Sequence, residues 1–262
     1  MARQRLGQHF LSEIGWRKRI LATLPLAAND TWIEIGPGHG EMTQFLAGDG
    51  RRIIAIEADP KLADGLRASA DSQPEHWPGV EVVTGDVLAT DIGSLTAKPF
   101  HVYGNLPYYI TSPILHHLFR SAGQISSIHI VIQLEVAERI VAHPNVRDYG
   151  YLSTLCQFYT QPKIALRIPP GAFRPPPKVK SALVSMTLPG ERAHLNVADE
   201  ERFLEFVQAC FAQKRKTLRN NLLEIADDKK IQDALAAANL RPDARAEQLT
   251  LAHFAALFSR LL

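Results

Sequence analysis

Cysteine is scarce in this 262-residue sequence, and its placement excludes one common kind of site. The two cysteines, Cys156 and Cys210, each lie in an apolar stretch, and their spacing matches no metal-ligand motif. We therefore expect both to be core residues, and we expect no metal site.

Long hydrophobic runs are also missing. No run reaches the length that a membrane-spanning helix needs, and the N-terminus has no apolar signal core. Hydrophobic residues make up 46% of the chain and charged residues 21%, which is ordinary for a globular protein with a substantial core. These observations predict a cytoplasmic protein without a membrane partner.

Acidic residues are absent from two basic stretches, although the net charge of the chain is only +2. Residues 161–180 contain lysines and arginines but no acid, and so do residues 214–219. The second stretch supplies four candidate RNA-binding residues, Lys214, Arg215, Lys216 and Arg219. Such patches indicate a polyanion partner, with a solvated charged face as the alternative for either one.

Glycines are concentrated where a predicted strand meets a helix. Residues Thr31–Ile35 have the pattern of a strand, and Gly36-Pro37-Gly38-His39-Gly40 follows it. The spacing is G-x-G-x-G, not the G-x-G-x-x-G of dinucleotide binders, and Pro37 lacks the N–H that could hold a pyrophosphate. The motif therefore favours a ligand without phosphates, approached closely by the backbone at Gly36.

Acidic residues follow the next two predicted strands. The strand at 52–56 is followed by Glu57, and the strand at 80–84 is followed by Gly85 and Asp86. A carboxylate at the first position can accept both hydroxyl hydrogens of a ribose, and one at the second can accept from an adenine amino group. Either acid alone could be a surface turn residue. Together with the glycine turn they predict a nucleoside cofactor without phosphates, S-adenosyl-L-methionine.

The segment Asn105-Leu106-Pro107-Tyr108-Tyr109 follows a fourth predicted strand at 100–103. The Asn105 amide oxygen can accept a hydrogen bond from a planar amine, and Leu106 is held extended by the proline, which frees its carbonyl for a second bond. Tyr108 offers a flat face for a base. The motif alone fits a proline-containing turn equally well, but beside a nucleoside site it indicates methylation of a nucleobase amine without a general base.

The predicted secondary structure changes after residue 188, from strands and helices to helices alone. Predicted strands at 164–168 and 182–188 bracket a proline-rich loop that contains Phe173, whose spacing favours a hydrophobic anchor over a stacking role. Helical periodicity dominates from residue 189 onward. We predict an α/β fold, a Rossmann-like methyltransferase sheet at 1–188, with a small all-α domain at 189–262.

Five ordered features of the chain resemble the ribosomal RNA adenine N6-dimethyltransferases. The matching segments are Gly7–Leu11, Glu34–Gly38 with Glu57 and Asp86, Asn105–Tyr108, the proline-rich stretch 169–181 and the basic stretch 211–222. The sequence departs from the usual family pattern at His9 and Tyr109, where asparagine often stands.

The resemblance implies a class I S-adenosyl-L-methionine-dependent enzyme. It would dimethylate two adjacent adenosines in the 3′-terminal hairpin loop of 16S rRNA, acting as a monomer on the immature 30S subunit. The cofactor would be held by the residues His9, Leu11, Gly36, Glu57, Asp86 and Asn105. The resemblance also makes Phe173 the second face of a base sandwich with Tyr108, and makes 211–222 an RNA-binding helix.

Two other functions remain open from the sequence. One is a 23S rRNA adenine methyltransferase of the antibiotic-resistance type, which the length and composition of the proline-rich loop and basic stretch disfavour. The other is a ribosome-assembly factor that acts mainly by binding RNA. The intact motif at 105–108 argues against RNA binding as its sole role.

Overall fold

Seven strands form the central sheet of the computed structural model, which describes residues 9–107, 109–213 and 216–262. The strands of the chain are β1 (Phe10–Leu11), β2 (Thr31–Ile35), β3 (Arg52–Glu57), β4 (Val80–Thr84), β5 (Phe100–Asn105), β6 (Ile125–Gln133), β7 (Gln161–Ile168), β8 (Phe173–Arg174) and β9 (Ser181–Thr187). The sheet order is β4-β3-β2-β5-β6-β9-β7, and β1 pairs separately with β8. This is the predicted α/β class.

The strands β2 to β6 run parallel, and β9 runs antiparallel to β6. All five residues of β2 are buried, as expected for a central strand covered on both faces. Because β3 and β5 flank β2, the strand order reverses there. A ligand crevice is expected at that switch point, beyond the carboxyl ends of the strands.

Helices connect these strands and also form the C-terminal part of the chain. They are α1 (Ile14–Leu21), α2 (Thr43–Leu46), α3 (Pro60–Ser72), α4 (Thr111–Phe119), α5 (Leu134–Val141), α6 (Tyr151–Tyr159), α7 (Glu200–Cys210), α8 (Leu218–Leu222), α9 (Asp228–Ala237) and α10 (Leu251–Leu261). None of them, within the described ranges, combines the length and the apolar character needed to cross a bilayer.

The chain divides into two units, residues 1–137 with 163–188, and residues 138–162 with 189–262. The predicted boundary at residue 188 coincides with one division point. The segment 138–162, which the sequence places in the first domain, belongs instead to the second unit. Its helix α6 packs there, because the ring of Phe158 lies 5.2 Å from that of Phe203 on α7.

The basic stretch does not form the expected continuous helix over its described residues. Helix α7 ends at Cys210, and α8 begins only at Leu218. Thr217 has an extended backbone, and its side chain accepts a hydrogen bond from the Asn220 N–H, which marks it as the start of a new helix. Lys216 therefore precedes α8, and Arg219 lies within it.

Candidate active site

A cavity of about 390 Å³ opens at the carboxyl ends of β2 to β5, at the switch point of the sheet. Its walls come from the segments that follow each of these strands, together with the N-terminal residues His9 and Phe10. Most of its lining is apolar, with a few polar groups converging on it. Such a combination is typical of a small-molecule site.

The glycine turn after β2 forms one wall of this cavity. Gly36 and Gly38 both have positive φ angles, +65° and +63°, which side-chain-bearing residues rarely adopt. A Cβ on Gly36 would point into open space, whereas a Cβ on Gly38 would lie 2.7 Å from the ring of Phe10. Gly36 is therefore required for its backbone conformation alone. Gly38 is required both for its backbone conformation and because a Cβ would clash with Phe10.

Glu57 ends β3 beneath this turn, with only 3% of its surface exposed. One carboxylate oxygen accepts a hydrogen bond from the Gly38 N–H at 3.0 Å, and the other accepts from the Asp59 N–H at 2.9 Å. Each oxygen keeps a further lone pair. The carboxylate is therefore fixed at the cavity with acceptor capacity left for two hydroxyl groups, which fits a ribose diol.

Asp86 lines the cavity beyond β4. One of its oxygens accepts from the Leu88 N–H at 2.9 Å, which caps the 3₁₀ turn Val87–Ala89. Val87 and Leu88 also line the cavity and make an apolar wall beside the carboxylate. An acceptor next to an apolar wall suits the amino edge and flat face of an adenine.

Asn105 ends β5 on the opposite side of the cavity. Its side-chain N–H₂ donates to the backbone carbonyl of His9 at 2.7 Å, and this bond fixes the orientation of the amide. The next residue, Leu106, is anchored by its N–H, which donates to the Val131 carbonyl at 3.1 Å. Pro107 also lines the cavity. Tyr108 lies outside the described residues.

At the N-terminal edge, the structure places Phe10 at the cavity instead of the predicted Leu11. Leu11 is only 4% exposed and belongs to the core, so its side chain does not line the cofactor cavity as predicted. Its neighbour Phe10 lines the cavity, because adjacent strand residues point in opposite directions. His9 lines it as predicted, and its ring bonds to the Pro175 carbonyl at 2.7 Å. Phe10 could have been found from this alternation.

Phe173 contradicts the stacking role that the family resemblance implies. It pairs with Leu11 where β8 meets β1, is 2% exposed and belongs to the same core cluster as Leu11. A ring enclosed by core residues has no face available for a base. The structure therefore agrees with the anchor role that the spacing alone favours.

Glu34 is a buried acid that the sequence does not single out by itself. It lies in the middle of β2, beside Tyr103 of β5, and is 2% exposed. Its Oε2 has no hydrogen-bond partner among the described residues. Burial, with smaller effects from Glu41 and Glu57, raises its pKa to about 8. The side chain is consequently neutral near pH 7, and it does not line the cavity.

The structure describes two of the four candidate RNA-binding residues, Lys216 and Arg219, and both lie in the second unit. Lys216 is exposed. Arg219 donates two hydrogen bonds to the carboxylate of Asp228, at 2.5 and 2.6 Å. Arg219 is therefore already engaged by an acid, while Lys214 and Arg215 lie outside the described residues.

Comparisons with known proteins show the family of this chain. The family model described as "Ribosomal RNA adenine dimethylase" matches residues 1–262. A protein of Acidobacterium capsulatum named "Ribosomal RNA small subunit methyltransferase A" is 42% identical, over 98% of this chain and 90% of its own length. A protein of the same name from Koribacter versatilis is 39% identical, over 98% of this chain and 93% of its own.

Two solved structures resemble the whole fold. The 23S rRNA methyltransferase ErmE is 28% identical with a TM-score of 0.71, covering 96% of this chain and 99% of its own. A dimethyladenosine transferase from Plasmodium falciparum has a TM-score of 0.76, covering 95% and 96% respectively, at 21% identity. The second likeness establishes the fold alone.

Proposed function

This chain belongs to the ribosomal RNA adenine dimethylase family, and from that premise we propose a specific reaction. It transfers methyl groups from S-adenosyl-L-methionine to N6 of two adjacent adenosines, dimethylating each, in the 3′-terminal hairpin loop of 16S rRNA. One observation carries the proposal: the amide of Asn105 is fixed at the same cavity that holds the carboxylate of Glu57. An amine acceptor and a ribose acceptor thus share one site.

The residues of the cavity fit the cofactor. Glu57 would hold the ribose, Asp86 the adenine amino group, and Gly36 would lie against the methionine portion. His9 and Phe10 would complete the wall on that side. When bound, S-adenosyl-L-methionine supplies an electrophilic methyl group on a positively charged sulfur.

Asn105 and Leu106 would orient the reacting amine by hydrogen bonds. Adenine N6 is a weak nucleophile because its lone pair is delocalised into the ring. If Asn105 Oδ1 and the Leu106 carbonyl accept its two N–H bonds, the nitrogen is drawn toward tetrahedral geometry and its lone pair is freed. Because Asn105 donates its N–H₂ to His9, its oxygen is the end of the amide left for the substrate. No carboxylate or histidine base is required for the transfer, because N6 keeps its proton until it has gained the methyl group from the sulfonium and then releases it to solvent.

The RNA substrate is an unpaired adenosine, since extruding a loop base costs less than opening a duplex. Tyr108 would stack on this base, which contributes roughly 1–3 kcal/mol. Lys214, Arg215, Lys216 and Arg219 would contact phosphates on the immature 30S subunit. Of the two that the structure describes, we expect Lys216 to contribute more than Arg219, because Arg219 must first leave Asp228. We further propose that the enzyme acts as a cytoplasmic monomer.

A 23S rRNA substrate is the second candidate, and the structural likeness to ErmE supports it. The higher identity to the small-subunit methyltransferases, 39–42% against 28%, favours the 16S substrate. A role purely in ribosome assembly would leave the fixed amide of Asn105 without a function.

The test is direct. The protein is incubated with labelled S-adenosyl-L-methionine and unmethylated small-subunit particles, naked 16S rRNA or 23S rRNA, and the labelled nucleoside is identified by mass. We expect N6,N6-dimethyladenosine in 16S rRNA. Label confined to 23S rRNA would favour the second candidate, and RNA binding without any transfer would overturn the proposal.

A further inference from the structure

Tyr109 is an aromatic side chain left exposed beside the cavity. It is 61% exposed, whereas the other large apolar side chains exposed to this degree in the described ranges are aliphatic. It also lines the cavity that contains Asn105 and Glu57. An exposed aromatic ring at the edge of a site is a frequent mark of a binding surface.

The backbone holds this ring in a defined place. The Ile110 N–H donates to the Pro107 carbonyl at 3.2 Å, closing a turn in which Tyr109 is the third residue. Helix α4 begins at Thr111, and the Ile114 N–H bonds to the Ile110 carbonyl at 3.0 Å. The turn is therefore tethered to a helix directly behind it. A tyrosine so mounted has only two side-chain torsions to order when a ligand binds.

The surroundings of Tyr109 favour a flat ligand. Its neighbours along the cavity are the apolar Pro107, Ile110 and Ile114. Of the two aromatic residues proposed to sandwich the target base, Tyr108 is assigned to that base and Phe173 is enclosed in the core. The sequence also departs from the family pattern here, with tyrosine where asparagine often stands. Tyr109 therefore presents an aromatic face beside the substrate motif.

We propose that Tyr109 stacks on a nucleobase of the substrate RNA adjacent to the target adenosine. This inference rests on the proposed function and adds a specificity-determining residue to it. A single-stranded loop can turn a neighbouring base onto the ring, whereas a duplex keeps that base paired and stacked. Tyr109 thereby favours unpaired adenosines as substrates.

The experiment uses an RNA hairpin with two consecutive loop adenosines, in which the flanking loop base is replaced by fluorescent 2-aminopurine. Stacking on Tyr109 quenches this fluorescence. We expect Tyr109→Ala to weaken hairpin binding about 5- to 150-fold. The 2-aminopurine quenching that the parent protein causes should be lost in this variant. Tyr109→Phe should retain both properties, and Tyr109→Leu should behave as the alanine variant does. Val146→Ala, which changes an exposed side chain in the other unit, is the matched control.

Each remaining outcome has a distinct meaning. Unchanged hairpin binding and quenching in Tyr109→Ala would overturn the stacking proposal, and so would a leucine variant equal to the parent. A selective loss of S-adenosyl-L-methionine affinity in Tyr109→Ala would make the ring a cover for the cofactor instead. A parent protein that quenches through Tyr109 but transfers no methyl group would overturn the proposed function and leave the stacking intact.

Discussion

Buried polar side chains at the carboxyl-end edge of the central sheet, where strands β2 to β5 end at the cavity, differ from those in the interior of the sheet. At the edge, Glu57 is almost fully buried, yet backbone N–H groups hold both of its oxygens beside the cavity. In the interior, Glu34 is buried to a similar degree, one of its oxygens has no partner among the residues that the structure describes, and burial raises its pKa to about 8. Burial raises the pKa of Glu34, whereas Glu57 has backbone donors on both oxygens and lines the cavity.

The interior also holds a row of histidine and serine residues across β5, β6 and β9. His101 bonds to Ser127 at 2.7 Å, Ser127 to His129 at 2.8 Å, and His129 to Ser185 at 2.9 Å. Burial lowers the pKa of His129 to about 4, with further contributions from His101 and Lys163. These groups satisfy one another and do not line the cavity. Burial alone thus does not identify a functional group, whereas Glu57 is a candidate because its fixed carboxylate also lines the cavity.

This comparison predicts that variants at the edge change binding and chemistry, and that variants in the interior change stability. The largest effect is expected at Asn105. Asn105→Ala should lower single-turnover methyl transfer about 10²- to 10³-fold, because the amine loses a preorganised acceptor. RNA binding should change little, since phosphate contacts lie elsewhere.

Asn105→Asp separates orientation from base catalysis in the same assay. On the orienting mechanism it is slower than the parent across about pH 6 to 9, because its charge would pair with the sulfonium and its N–H₂ donor to His9 is lost. An aspartate variant as fast as the parent, or faster as pH rises, would contradict that mechanism.

The next largest effect is expected for the cofactor. Glu57→Ala should weaken S-adenosyl-L-methionine binding roughly 10- to 150-fold, because it removes the acceptor for two hydroxyl groups. Calorimetry on the folded variant measures this. Glu81→Ala is the matched control, since Glu81 is an exposed glutamate on β4 that pairs with Arg52. Equal affinities in both variants would remove Glu57 from the ribose site.

Of the two interior variants, the larger effect is expected at Glu34. Its pKa is raised from 4.5 in the unfolded chain to about 8 when folded, so the folded state holds the extra proton between these values. Stability should consequently fall as pH rises through this window, by up to about 1.4 kcal/mol per pH unit. Glu34→Gln, which stays neutral, should flatten this slope in urea unfolding at several pH values. A variant with the parent's slope would show that Glu34 is not the titrating group.

The smallest effect is expected at His129. Its folded pKa of about 4 lies below the ordinary 6.5, so the unfolded state binds more protons between these values. Stability should be complete above pH 6.5 and decline as pH falls toward 4, by roughly 0.5–1 kcal/mol per pH unit. The two serine hydroxyls can accept as well as donate, which moderates the loss. His129→Gln should reduce this decline without changing cofactor affinity, and an altered affinity would contradict the comparison.

Much of the sheet, and the site residues at the carboxyl ends of its strands, could be predicted from the sequence. The glycine turn, Glu57, Asp86 and Asn105 each follow a predicted strand, and each lines the cavity where expected. Parallel strands bring their carboxyl ends to one edge, so local patterns were enough to predict this convergence.

Positions set by pairing between distant segments could not be predicted in this way. Phe173 and Leu11 are 162 residues apart, and the pairing of β8 with β1 decides that Leu11 enters the core beside Phe173, whose anchor role the spacing already favours. The same pairing turns Phe10 toward the cavity. Likewise, the ion pair between Arg219 and Asp228 depends on how α8 and α9 pack. A residue pattern shows which side chains are apolar or charged. It does not show which other segment of the chain packs against them or pairs with them.

The sequence by itself therefore determined the α/β class, the family and the residues at the strand ends, because these depend on local periodicity and motif spacing. Tertiary structure decided between the anchor role that the spacing favours for Phe173 and the stacking role that the resemblance implies, and it left Tyr109 exposed. Phe173 is covered by a strand from the N-terminus, whereas Tyr109 is held outward by the turn at Pro107. Burial is a property of the surrounding chain, and that chain comes together only in the folded protein.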